Sequence, residues 1–261
     1  MTVQQILEYV NSLAPKSMKC DWDNVGLLCG RRDQEVKKVL VALDPFLDVC
    51  EEAAAIGADL IVTHHPLIFR APKSITTDDT VGQCILFLAA HGISAVNAHT
   101  NLDCAPDGVN DVLAQALGLE QVEVLNPEGY DAQGRPWGLL RAGTVAETAL
   151  HDFLALVKER LHTPILRYAD GGKPVRRVAV GGGACGDGLY DALAAGCDTF
   201  VTADVKYNQF WDAADLGLNL IDAGHFYTEN PVCAMLAERL REQFPEIEVV
   251  LSKHSDCMKF F

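Results

Sequence analysis

None of the nine cysteines falls in a Cys-x-x-Cys pair, so the spacing that marks a zinc ribbon or a thioredoxin-like motif is missing. An odd number of scattered cysteines also argues against a disulfide framework and for reduced intracellular thiols. No run reaches the ~18 apolar residues that a membrane span needs. The opening stretch Met1-Thr-Val-Gln-Gln-Ile-Leu-Glu-Tyr-Val10 has no basic region of the kind that begins a secretory leader. A cytoplasmic protein with no membrane partner is the expectation. Basic residues are few as well: 21 Lys and Arg stand against 36 Asp and Glu, a formal charge of -15 with no local basic cluster. That balance opposes nucleic-acid binding. An anionic substrate would need positive charge from elsewhere, and a pair of bound divalent ions would supply it. Apolar residues, in contrast, make up 49% of the 261 positions, enough to bury the core of one large or two modest domains.

The apolar residues are patterned. Residues 1–13 carry Val3, Ile6, Leu7, Val10 and Leu13 on one helical face. Strands are expected over 36–43, 58–62 and 93–97, with helices over 46–56, 81–90 and 109–117 between and after them. Alternation at these lengths implies an α/β fold with largely parallel, mixed sheets. Residues 66–80 form the one long connection, a candidate site loop and equally a plain surface loop. The stretch 121–173, punctuated by Pro and Gly around one helix over 147–161, reads as a crossover between a first repeat over 1–120 and a second over 174–261.

The second repeat is visible in the chain itself. Shifted by 139 residues, Val36-Lys-Lys-Val-Leu-Val41 falls on Val175-Arg-Arg-Val-Ala-Val180, and Gly57-Ala-Asp-Leu-Ile-Val-Thr63 on Gly196-Cys-Asp-Thr-Phe-Val-Thr202. Shifted by 125, Gly92-Ile-Ser-Ala-Val-Asn-Ala98 falls on Gly217-Leu-Asn-Leu-Ile-Asp-Ala223. Three matches in the same order point to an internal duplication and two intertwined α/β halves.

Chemistry-bearing residues gather where these strands end. His64-His65 leave the strand over 58–62, His99 follows the strand over 93–97, and His225 stands at the equivalent place in the second half, so four of the eight histidines lie at strand exits. Adjacent side chains on an extended strand point to opposite sides, so His64 and His65 more naturally serve two ions than chelate one. His99 with Asp103 and His225 with Glu229 are i, i+4 pairs that can bring an imidazole and a carboxylate to one side of a turn. Thr228 is a plausible helix N-cap that would hold Glu229 rigidly. Each histidine alone is more often a hydrogen-bonded structural residue; their concentration favours a metal site. A donor set of imidazoles and carboxylates suits zinc, iron, manganese, cobalt or nickel without choosing among them. In a two-metal site a carboxylate commonly bridges while a shared water becomes a hydroxide nucleophile, and Glu229, in the most compact pair, is the candidate bridge. His99 serves either as a ligand or as a support with Asp103. Asp204, Lys206 and Tyr207 are candidate supporting or substrate contacts, with plain surface roles equally open for the last two. Asp23-Asn24 reads first as turn chemistry. Gly181-Gly-Gly-Ala-Cys-Gly186 matches G-x-G-x-x-G, with Asp204 following 18 residues later. That loop is open to three readings: a dinucleotide fingerprint, a phosphate cradle or a tight turn that allows close packing.

The set Asp23-Asn-Val-Gly26, Gly57 to Pro66 with His64-His65, His99-Thr-Asn-Leu-Asp103, Gly181-Gly-Gly183, Thr202-Ala-Asp204 and Ala223-Gly-His-Phe-Tyr-Thr-Glu229 resembles the GTP cyclohydrolase I type 2 homologs, the Nif-three-like or YbgI-like family. The resemblance runs nearly the whole chain in order and matches the short form of the family. It implies two metal ions held by His64, His65, Asp103, His225 and Glu229, with Glu229 shared, and a ring-shaped homohexamer. It implies GTP hydrolysis and ring opening; the expectation for this chain is a metal-dependent hydrolase acting on a nucleotide or related cyclic substrate, with Glu229 and His99 as catalytic residues. The alternative is a non-catalytic ring acting as metallochaperone, regulator or interaction scaffold.

Overall fold

The computed structural model describes residues 1–260 as an α/β protein with two mixed sheets, one of five and one of six strands, and a small two-stranded ribbon. In chain order the strands are β1 (Gly26–Cys29), β2 (Lys38–Ala42), β3 (Leu60–Thr63), β4 (Ser94–Asn97), β5 (Glu120–Leu125), β6 (Gly129–Tyr130), β7 (Pro136–Trp137), β8 (Leu140–Thr148), β9 (Arg167–Ala169), β10 (Val175–Val180), β11 (Thr199–Thr202), β12 (Asn219–Asp222) and β13 (Glu248–Leu251). The described residues divide into two compact units, residues 1–102 with 233–255, and residues 103–232 with 256–260. Among the described residues no helix is long and apolar enough to cross a membrane.

The first unit holds the sheet β1-β4-β3-β2-β13. Its β4, β3, β2 and β13 run parallel, and only β1 is antiparallel to its neighbour. Every residue of β3 and β4 is buried, as expected of central parallel strands covered on both faces. Leu40, Ala42, Ile61 and Ala95 pack on one face against Val49, Cys50 and Ala53 of the helix Leu47–Ile56 and Cys84 and Leu88 of the helix Thr80–His91. The first of these helices stops at Gly57, whose φ of 69° is the left-handed cap that turns the chain toward β3. The last strand, β13, lies within the expected second repeat over 174–261 and yet adds to this first sheet beside β2.

The second unit holds the sheet β5-β8-β10-β11-β12-β9. Only β10, β11 and β12 pair in parallel; β5, β8 and β9 join through antiparallel pairings. The stretch 121–173, expected as a crossover, therefore builds sheet: it forms most of β5 and all of β8 and β9. Alternation sorts its core into two layers. Val178, Val180, Val201 and Ile221 face Phe153 and Val157 of the helix Leu150–Leu161, while Ala179, Phe200 and Leu220 face Leu189, Ala192 and Ala213.

The two units share one local plan. Val39 pairs with Leu60 and Val41 with Val62, as Val178 pairs with Thr199 and Val180 with Val201, the same partners under the shift of 139. Thr63 pairs with Asn97 as Thr202 pairs with Asp222. Asp59 Oδ2 accepts from the backbone N–H groups of Lys37 and Lys38 (2.8 and 3.0 Å), and Asp198 Oδ2 from those of Arg176 and Arg177 (3.0 and 2.8 Å).

Candidate metal centre

The first unit brings three imidazoles together at the carboxyl end of its sheet. After β3 the backbone continues beside β2, with His65 N donating to Leu43 O (2.9 Å) and Thr63 Oγ1 donating to His65 O (2.7 Å). These bonds fix the strand exit on which both histidines stand. His64 is fully buried and its Nδ1 donates to Ala98 O (3.0 Å), just past β4. A carbonyl oxygen only accepts, so Nδ1 carries the hydrogen and the lone pair sits on Nε2. His65 Nδ1 meets Asp44 Oδ1 (2.6 Å), and His99 Nδ1 meets Asp23 Oδ1 (2.8 Å). Ring centroids are 4.9 Å apart for His64 and His65, 5.2 Å for His64 and His99, and 5.5 Å for His65 and His99. One nitrogen from each lies within 4.8 Å of the others.

Asp23 does more than turn the chain. Its side chain also accepts from Thr100 N (3.0 Å) and Thr100 Oγ1 (2.5 Å). Burial alone would raise its pKa, but the bonds from His99 and Thr100 outweigh that and hold it well below the usual carboxylate range. Asp44 behaves alike: burial is opposed by bonds from His254 and His65, and its pKa is lowered. His254 Nδ1 lies 2.6 Å from Asp48 Oδ2 and its Nε2 lies 3.4 Å from Asp44 Oδ2. The bond to Asp44, reinforced by that to Asp48, raises the His254 pKa to about 9 against its partial burial.

The chain passes from the first unit to the second between Leu102 and Asp103, inside the short helix Thr100–Cys104. Asp103 is buried in the second unit, and Asn110 Nδ2 donates to its carbonyl (3.1 Å). Just beyond it, the buried guanidinium of Arg141 donates to the carbonyls of Cys104 and Ala105 (3.3 and 3.0 Å) while pairing with Asp111 (2.7 Å). Past β12, Gly224 leads into the helix His225–Glu229. Thr228, expected as an N-cap, lies inside that helix, its hydroxyl donating to Gly224 O (3.1 Å) and accepting from Gly183 N (3.0 Å). His225 Nδ1 meets Asp204 Oδ2 (2.7 Å) and its Nε2 meets Glu229 Oε2 (3.0 Å). Burial would lower the His225 pKa, but the bonds to Asp204 and Glu229 raise it to about 10. The bond from His225 in turn holds Asp204 below its ordinary value. Lys206 Nζ pairs with exposed Asp187 (3.2 Å), and Tyr207 is 78% exposed.

The glycine loop acts in this geometry. Gly181 N donates to Val201 O (3.0 Å), Gly182 N to Asn110 Oδ1 (2.7 Å), Gly183 N to Thr228 Oγ1 (3.0 Å) and Cys185 N to Gly183 O (2.9 Å). Those four donors are consumed inside the protein and are not available to a phosphate. A Cβ at Gly183 would lie 2.0 Å from Glu229 Oε1 and 3.0 Å from His225 Nε2. Close approach to this carboxylate and imidazole is what the loop provides.

The donor chemistry fits borderline divalent ions. Four strand-exit histidines, His64, His65, His99 and His225, each have Nδ1 engaged by an oxygen, the arrangement that orients imidazole ligands. Asp44 and His254 are not marked by the sequence as parts of a site, and Asp23, though within a motif of the resemblance, reads there first as a turn residue. Asp23 and Asp44 sit in loops whose short side chains suit turns, and His254 reaches Asp44 only through the pairing of β13 with β2.

A model of the family Duf34/NIF3 (NGG1p interacting factor 3) matches residues 1–257. A GTP cyclohydrolase 1 type 2 homolog from Nostoc is 39% identical over 248 residues, covering 93% of this chain and 90% of its own length. One from Clostridium perfringens is 35% identical over 260 residues, covering 98% and 97%. The crystal structure of a Bacillus cereus protein related to NIF3, 26% identical, covers 100% of this chain and 99% of its own with a TM-score of 0.93. Full-length sequence and fold agreement together place this chain in the Duf34/NIF3 family, among the GTP cyclohydrolase 1 type 2 homologs.

Proposed function

We propose that this chain is a dinuclear metal-dependent hydrolase acting on a nucleotide or related cyclic small molecule, its two ions held by His64, His65, Asp103, His225 and Glu229, with Glu229 shared. The observation that carries the reading is the common orientation of His64, His65, His99 and His225, each with Nδ1 engaged by an oxygen. Bound divalent ions, whether zinc, iron, manganese, cobalt or nickel, supply Lewis acidity and a water of lowered pKa. The residues divide the remaining work. Asp44 and Asp204 orient His65 and His225. Gly183 leaves room for Glu229. His99, backed by Asp23, accepts or returns a proton at Nε2. Lys206 and Tyr207, exposed on the second unit, contact the substrate.

The matched strand registers and the paired roles of Asp59 and Asp198 support an origin of the two α/β halves by internal duplication. A ring-shaped homohexamer in the cytoplasm belongs to the same reading and is tested by light scattering of the purified chain. The function is tested by GTP turnover of the metal-loaded protein beside Glu229→Ala. Turnover lost in the variant supports hydrolysis. Two bound ions without turnover of GTP move the reading to another cyclic substrate or to a non-catalytic scaffold.

A further inference from the structure

One row of side chains leads away from His65 to a segment that the proposed chemistry does not use. The β13 ladder extends past the strand, where Ser252 N donates to Val41 O (2.8 Å). Ser252 Oγ then donates to Glu52 Oε2 (2.5 Å) and Lys253 N to Glu52 Oε1 (3.1 Å), so the helix Leu47–Ile56 holds the segment through one carboxylate. His254 N donates back to Ser252 Oγ (3.0 Å). This brings the His254 ring between two carboxylates, with Nδ1 2.6 Å from Asp48 and Nε2 3.4 Å from Asp44. The Phe46 ring lies beside it, 6.0 Å between centroids. The other oxygen of Asp44 meets His65 Nδ1 at 2.6 Å. Asp48, His254, Asp44 and His65 thus form a continuous row within one unit.

An imidazole that faces carboxylates through both nitrogens is a cation with two donors. Its charge compensates that of Asp44, whose side chain is 13% exposed. A compensated carboxylate keeps its oxygen toward His65; an uncompensated one turns to solvent. We propose that His254 is a positioning residue of the metal centre: acting through Asp44, it holds His65 in the Nδ1–H tautomer and in the orientation that presents Nε2 as a ligand. The inference rests on the metal-centre reading above, and extends it to the chain segment after β13.

The test uses the full chain with His254→Ala and His254→Gln and two readouts. In metal-free protein, nitrogen NMR of His65 reports its tautomer; the wild type is expected to hold the Nδ1–H form and His254→Ala a mixture. In competition titrations with zinc, His254→Ala is expected to weaken one of the two bound ions about tenfold and to leave the other unchanged. His254→Gln, which keeps a donor toward Asp44, is expected to recover part of that loss. A folded His254→Ala with unchanged tautomer and unchanged zinc affinity overturns the proposal. So does equal weakening of both ions with no change at His65, which marks general loosening. Should His254→Ala not fold, His254→Gln decides by the same two readouts. A wild type that binds no zinc removes the metal-centre reading, while the tautomer measurement still decides whether His254 orients His65.

Discussion

Gly183 and Glu229 are in such close approach that a methyl group on the glycine would lie 2.0 Å from the carboxylate oxygen Oε1. Gly183 also has a φ of 63°, which an L side chain adopts only at a cost of about 1–2 kcal/mol. Both effects act in Gly183→Ala. The variant is expected to displace Glu229 and lose metal, while losing about 2 kcal/mol of stability in its metal-free form. Metal content by elemental analysis, with urea unfolding of the stripped protein, checks the two parts separately.

Asp23 accepts from His99, Asn24 N, Thr100 N and Thr100 Oγ1 in a buried position, so its removal leaves four donors without their acceptor. Asp23→Ala is expected to cost about 3 kcal/mol of stability. Asp23→Asn keeps the shape and loses the charge that orients His99. It is expected to fold with a smaller penalty and, under the proposed function, to lower kcat more than metal affinity. Equal activity in Asp23→Asn and wild type would remove His99 from the proton-transfer role.

The His254 pairings give a defined pH dependence. Because the folded pKa of His254 is raised to about 9, its stabilising effect is complete below the ordinary histidine value of about 6.5 and disappears as pH rises through the folded value. Thermal unfolding of metal-free wild type and His254→Gln is therefore expected to differ at pH 6 and to converge near pH 10, values set about that window. A difference that stays constant across the range would contradict the assignment.

Arg141 is 1% exposed and bound to Asp111 and to the carbonyls that follow Asp103. Arg141→Ala strands the Asp111 charge and releases those carbonyls, an expected loss of about 3–5 kcal/mol. Arg141→Lys recovers little, because an ammonium cannot reproduce the planar fork. Chemical denaturation at neutral pH distinguishes the two.

Much of this architecture is legible in the chain. The shift of 139 residues that aligns Val36 to Val41 with Val175 to Val180 gives the register in which β2 meets β3 and β10 meets β11. Buried parallel strands have apolar residues on both faces, and helices ending in glycine punctuate them, so local pattern suffices there. The antiparallel additions β5, β8 and β9 are less visible, because a mostly exposed strand such as Glu120–Leu125 carries polar residues at half of its positions without a clean apolar run. The placement of β13 beside β2 depends on a contact across some 200 residues, which no local pattern encodes. The same limit hid His254. The histidines themselves stood out through their position at strand ends, whereas Asp23, Asp44 and the glycine loop acquire meaning only from the side chains that meet them.

The central claim is that imidazoles and carboxylates of this chain hold two ions, and metal stoichiometry tests it most directly. Elemental analysis of the purified, reconstituted wild type is expected to give about two divalent ions per chain, and Glu229→Ala fewer. Failure of the folded wild type to retain any ion after reconstitution with zinc, iron, manganese, cobalt or nickel would contradict the account.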